Sequence, residues 1–342
     1  MPGFTTHYII GQEGFYNLPE GRLKDIIERN PSIYHLGAQG PDLFFYNAIL
    51  LRHRGYKNIG IWMHEFHISE FVEALARLSE QKLQGQIPQG SPAELRSQSE
   101  YEMGIAYMAG YMSHCIADAI IHPYVYGRIG YDPKRKKKVN RRATSLHCRL
   151  ENDIDAILLE VYRQQKPSEF DQASAFSLSK AEKAYLSDFL CTAINQTYYP
   201  ERFGNTFSIT RGIVRRSIYM MHLGLRAIYD PREKKKRKIG YLESKFRMEP
   251  LASSKLVTDR VSDVPWALNL YHEIWVNPWD RSMISNDSLE DLLEKVDVKV
   301  HECFLMLDDL ISGKGSFDEQ LPRLIETFGN YSLHSGLSAG VV

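Results

Sequence analysis

The chain has 342 residues, 43% apolar and 25% charged, the make-up of a globular protein that can bury a core without staples. Lys plus Arg equal Asp plus Glu at 42 each, so no global field favours nucleic acid or an acidic surface. Four cysteines (Cys115, Cys148, Cys191, Cys303) form no CxxC pair and read as free thiols in a reducing compartment.

In chain order, Met1–Tyr8 lacks the basic region and apolar core of a signal peptide. No later run approaches the ~20 apolar residues that span a bilayer. A cytoplasmic protein is the expectation, with peripheral membrane contact left open. Phe4–Ile10 precedes a turn expected at Gly11–Gly14, and a helix from about Pro19 to Glu28 ends at Asn30-Pro31. Tyr34–Gly40 reads as irregular and delivers Pro41-Asp42 into the apolar run Leu43–Leu51. Gly60–His64 leads into a helix with apolar Ile68, Phe71, Val72, Leu75 and Leu78 at helical spacing. A Gly-, Pro-, Gln- and Ser-rich loop is expected over 84–98.

The stretch Tyr107–Tyr124 organises the rest. His114, Asp118 and His122 stand four residues apart, so a helix puts them on one face. Met108, Ala109, Met112, Ile116, Ala117, Ala119, Ile120 and Ile121 surround them, the pattern of a buried helix. Three buried ionisable groups are costly unless compensated, and a divalent metal compensates imidazole and carboxylate together. The plainer alternative is core histidines hydrogen-bonded to Asp118.

A basic loop, Lys134–Lys138 with Arg141 and Arg142, precedes a helix expected to open near Thr144 or Ser145. It carries His147 and Glu151 at i, i+4. Ser179 and Glu182 spell a capping box, Thr210–Tyr229 is amphipathic, Arg232–Lys238 is a second basic run, and Ser288–Asp291 opens a helix to Leu310. No alternating strand pattern or repeat emerges. The fold class is all-α, a multi-helix bundle with the site between buried helices. Linkers near 231–240 and 277–287 divide it into a main unit, 1–230, and a C-terminal helical extension, 231–342, packed on it.

Beyond the central helix, His7, Asp42, His64, His147 and Glu151 complete a pool of His, Asp and Glu sufficient for two or three metals. A donor pool without thiolates suits zinc in a hydrolytic site better than a structural zinc. His67 is a weaker candidate, as a ligand or behind His64. His35 and His53 sit in loop-like contexts, and His222, His272, His301 and His334 read as surface or satisfied core. Asp153 and Asp155 follow Glu151, with Asp155 a candidate supporting partner but more in keeping with a solvated helix face.

In order, Met1–Tyr8, the Gln39–Asp42 turn, Gly60–His64, the HxxxDxxxHP helix from His114 to Pro123 and the HxxxE of His147 and Glu151 resemble the bacterial zinc-dependent phospholipase C family, in a form without a secretion signal. The resemblance covers roughly residues 1–160. It implies an α-helical fold, a trinuclear zinc cluster, of which two or three ions are expected here, and phosphodiester hydrolysis of a phospholipid, releasing diacylglycerol and a phosphorylated head group. Carried over by motif, Asp42, His64, His114 and Asp118 would hold one zinc, and His122, His147 and Glu151 a second. A third would use His7, with Asp118 bridging and the chain's amino terminus a candidate to complete it. Asp42 is the candidate general base. Two departures stand out: the secreted members begin at a processed Trp where this chain has Met1-Pro2, and they space the helix Asp and the next His six apart, here four.

Phe44, Phe45, Tyr46 and Trp62 are expected either to line a head-group pocket, attracting a choline cation, or to be plain core. The basic runs could attract anionic head groups or be solvated loops. They carry no interleaved aromatics, so nucleic acid is not the expected partner. Two competing functions remain: a zinc-dependent single-strand nuclease with the same ligand logic, and a non-catalytic, zinc-stabilised scaffold at membranes.

Overall fold

The computed structural model describes residues 3–47, 59–83, 91–134, 137–198 and 209–340. His53 and the chain's amino terminus lie outside the described residues. The fold is all-α, with one two-stranded hairpin. Its centre is a 37-residue helix, α6 (Pro92–Arg128). It starts where Ser91 Oγ accepts from the Glu94 amide and Pro92 takes the first turn. Residues Tyr101–Asp118 of α6 are buried on nearly every side, so the rest of the chain wraps it.

Before α6 come α1 (Phe4–Tyr16), α2 (Arg22–Arg29), α3 (Pro31–Gly37), a 3-10 segment (Gly40–Asn47), α4 (Ile59–Glu65) and α5 (Ile68–Glu80). The turn expected at Gly11–Gly14 is helix. These glycines serve packing: a Cβ on Gly14 would meet Val300 at 2.9 Å and Phe304 at 3.3 Å. The irregular stretch expected over Tyr34–Gly40 is mostly α3, laid closely on the central helix. A Cβ on Gly110 would lie 2.1 Å from the Tyr34 carbonyl oxygen, so only glycine admits this approach. The loop expected over 84–98 gives way to helix from Pro92, and residues 84–90 lie outside the described residues.

After α6 follow α7 (Lys137–Arg163), α8 (Lys180–Tyr198), α9 (Arg211–Ile228) and α10 (Lys234–Lys245). Then come α11 (Val264–Leu268), strands β1 (Trp275–Val276) and β2 (Ile284–Ser285), α12 (Leu289–Ile311) and α13 (Phe317–Phe328). The Ser179–Glu182 box forms, with Glu182 accepting from the Ser179 amide and Ser179 Oγ from that of Glu182. Ser288 and Asp291 cap α12 the same way. Helix α7 begins two turns before the expected Thr144, and the second basic run is helix α10, not a linker.

The C-terminal helices share the N-terminal core. Phe304 of α12 meets Tyr34 edge-on, and Asp308 Oδ1 accepts from the Leu23 amide at 2.7 Å, capping α2. Buried apolar residues from Phe4 to Leu333 form one continuous cluster.

Candidate metal centre

Helix α1 carries His7 inward, and it is capped from a distance. Its own N-cap, Gly3, offers no side chain. Instead Asp155 of α7 accepts from the Thr5 amide (3.1 Å), the Thr6 amide (2.8 Å) and Thr6 Oγ1 (2.7 Å). The solvated helix face expected for Asp153 and Asp155 is therefore not what forms; both are buried. Burial raises the Asp155 pKa to about 6. Asp155→Ala is expected to lower stability by about 2 kcal/mol, read from urea unfolding, because two first-turn amides lose their acceptor.

Gly40 opens the 3-10 segment that bears Asp42. Its φ of +51° lies in the left-handed region, and a Cβ there would fall 2.2 Å from the His114 ring. Gly40→Ala is expected to cost about 2–4 kcal/mol and to displace Asp42 and His114 together, measurable as lower stability and lower metal content.

All eight donors named from the sequence come together. Ligand atoms of His7, Asp42 and His114 lie within 4.8 Å of one another, as do those of His64, His114 and Asp118, and those of His122, His147 and Glu151. Asp118 stands in the middle, with Oδ1 3.2 Å from His7 Nε2 and 3.6 Å from His122 Nδ1, and Oδ2 3.2 Å from His114 Nε2 and 3.7 Å from His64 Nε2. Asp42 Oδ1 is 3.2 Å from His64 Nε2, and Glu151 Oε1 is 2.5 Å from His147 Nε2. Although only four residues separate it from Asp118, His122 still reaches the His147 and Glu151 end, its Nε2 3.9 Å from Glu151 Oε1.

The tautomers fit a cation. His64 Nδ1 faces the Gly60 carbonyl at 2.6 Å, His114 Nδ1 that of Ala38 at 3.2 Å, and His122 Nδ1 that of Leu333. A carbonyl only accepts, so each Nδ1 carries the hydrogen, and in the neutral ring Nε2 presents a lone pair to the centre. Lone pairs facing carboxylate oxygens at 3.2 Å repel unless positive charge lies between them. Accordingly Asp42 Oδ1, both Asp118 oxygens, both His7 nitrogens and Nε2 of His64, His114 and His122 have no hydrogen-bond partner among the described residues. Burial works against supplying that charge as protons: it pushes His7 down to about 4 and His122 well below the usual imidazole range. At His114 the same burial effect is outweighed by the Asp118 and Asp42 carboxylates, which raise it.

Among the described donors the His147–Glu151 end is the most exposed. The side chains of His7, His64, His114, Asp118 and His122 have no exposure, whereas His147 and Glu151 keep 12% each. Beside that end stands an aromatic wall absent from the sequence reading. Tyr126 lies 4.6 Å from His147, and Trp279 meets Tyr126 edge-on at 4.9 Å and Tyr131 at 5.4 Å. Of the aromatics named from the sequence, Phe45 lies 5.0 Å from His64, Phe44 is core, Tyr46 packs over Gly224 and Trp62 packs on Phe66.

The C-terminal segment supplies what sequence reasoning missed most. Leu333 donates its amide to the His64 carbonyl (2.7 Å), and its own carbonyl accepts from His122. His334, expected at the surface or as satisfied core, stacks on His64 at 5.0 Å and bonds Glu65. No spacing rule links residue 334 to 64. By contrast His67 ends in a left-handed N-cap position, paired with Glu70 at 3.0 Å, outside the three donor groups. His35, expected in a loop, is buried in α3 and lies 4.5 Å from the Tyr8 ring.

Comparison with curated proteins and with solved structures gives no significant match. The family described as zinc dependent phospholipase C matches residues 6–200, more than half of the chain, a range within which the eight donors fall. The chain belongs to the zinc-dependent phospholipase C family.

Proposed function

We propose that the protein is a zinc-dependent hydrolase that cleaves the phosphodiester of a phospholipid, releasing diacylglycerol and a phosphorylated head group. The observation that carries this reading is the buried donor cluster, in which Nε2 of His64 and of His114, each left a lone pair by its carbonyl-bound Nδ1, faces the Asp42 and Asp118 carboxylates at 3.2 Å. The donor set of imidazoles and carboxylates without thiolate suits hydrolytic zinc. His64, His114, Asp118 and Asp42 would hold one ion and His122, His147 and Glu151 another. A third would use His7, with Asp118 shared.

Zinc bound there supplies Lewis-acid polarisation of phosphoryl oxygens and acidifies water from pKa 15.7 towards roughly 7. The chain's own residues do the rest. Backbone carbonyls at Gly60, Ala38 and Leu333 hold three imidazoles in one tautomer and orientation, so no reorganisation is needed on substrate arrival. Asp42, if loosely held by its ion, would accept the water's proton as general base. The phosphate approaches from the His147–Glu151 side. There Tyr126, Tyr131 and Trp279 exclude water and present π faces to a cationic head group, an attraction of about 1–2 kcal/mol.

Metal-replete protein is to be assayed on phosphatidylcholine and on single-stranded DNA. Diacylglycerol and phosphocholine in stoichiometric amounts are expected. DNA cleavage with the phospholipid untouched would favour the nuclease reading, and full zinc occupancy without turnover of either would favour a scaffold.

A further inference from the structure

We infer that α10 and the turn after it form a docking surface for an anionic lipid bilayer. Residues 232–249 hold eight Lys or Arg (Arg232, Lys234, Lys235, Lys236, Arg237, Lys238, Lys245, Arg247) against three Glu, in a chain whose net charge is zero. Positive charge is thus concentrated on this segment, the second of two basic runs, in a protein with no net charge.

The helix sorts these residues. Lys234, Lys238, Tyr241 and Lys245 follow i, i+4, i+7, i+11 spacing and lie on one exposed face. The opposite side is tied down by Glu243, which is buried and accepts from the Ala252 amide at 2.7 Å and from Ser253 Oγ. Exposed among the cations are Tyr241 (66%), Leu242 (51%), Phe246 (67%) and Met248 (61%).

These apolar side chains are held out rather than left on a loose end. Arg247, at φ +50°, closes the helix with a Schellman pair, Met248 N to Glu243 O at 2.8 Å and Arg247 N to Ser244 O at 3.0 Å. The turn that follows is fastened to α7: Ser145 Oγ donates to the Pro250 carbonyl and Asn152 Nδ2 to that of Ser254. Helix α7 also carries His147 and Glu151, so the surface sits one helix away from the most exposed end of the metal centre.

Charge and chemistry together select the occupant. A second copy would bring like charge against like charge. A nucleic acid would match the cations but leave Leu242 and Met248 unexplained. An anionic bilayer meets both, since head groups attract the lysines while Tyr, Leu, Phe and Met enter the interface. Among the described residues no helix is long and apolar enough to cross a membrane, so the contact is peripheral.

The test is sedimentation of the full chain with vesicles of phosphatidylcholine alone or with 30% phosphatidylglycerol, read as binding and not as turnover, so it stands apart from the hydrolase reading. Binding to the anionic vesicles only, weakened by salt, is expected. Lys238→Gln with Lys245→Gln should weaken it about 25-fold, at about fivefold per cation lost. Phe246→Ser should weaken it about tenfold, while all variants keep the wild-type melting temperature. Equal binding to both vesicle types, no binding to either, or tighter binding to single-stranded DNA that ignores Phe246→Ser would overturn the inference.

Discussion

Asp118→Asn is expected to abolish phosphodiester hydrolysis, on the order of 10³-fold in kcat/KM or about 4 kcal/mol, and to lower bound zinc in the same preparation. The side chain keeps its shape and loses its charge. Four imidazoles come within 3.7 Å of its two oxygens, and none of the four has measurable exposure. Burial alone would push the Asp118 carboxyl up, yet His122, His114 and His7 hold it well below the usual carboxylate range. Among the described residues it is the one carboxylate with imidazoles from both ends of the cluster within 3.7 Å. Activity comes from a steady-state assay and metal from elemental mass spectrometry on the same sample. Wild-type activity in this variant would remove Asp118 from the centre of the account.

Chelation is the second large effect. Stripping metal leaves Asp42, Asp118 and four histidine side chains facing one another in a buried cluster. Two ions, each at a thousandfold excess over its Kd, stabilise the fold by about 8 kcal/mol through linkage, which for a chain of this size is a fall of about 10–20 °C in Tm on chelation. Differential scanning calorimetry with and without chelator reads this directly, and zinc should restore the transition. An unchanged Tm would mean that the cluster folds without a cation and that the tautomer argument fails.

The parts of this centre that could be read in advance are those that repeat locally. Asp118 and His122 follow His114 at helical spacing, and Glu151 follows His147 the same way, so one face was implied by number alone. The two capping boxes at Ser179 and Ser288 were legible for the same reason, being contacts between residues three apart. What escaped was set by partners far along the chain. Gly11 and Gly14 look like a turn until Tyr34, Val300 and Phe304 are packed against them. Asp155 looks solvated until α1, some 150 residues earlier, brings its bare amides. His334 gains meaning only when the C-terminal segment crosses His64 and His122. The Arg232–Lys238 run, read as a linker, opens a helix that Glu243 ties to the Ala252–Ser253 turn, which Ser145 and Asn152 of α7 hold in place from some 100 residues away. In each case tertiary contact overrides a local signal that was real but weak.

The most direct test of the central claim is the zinc content per chain of protein purified without chelator or histidine tag. Two or three zinc ions per folded chain are expected, falling in Asp118→Asn. A folded, monodisperse wild-type protein that holds no zinc, even after dialysis against micromolar zinc, would contradict it.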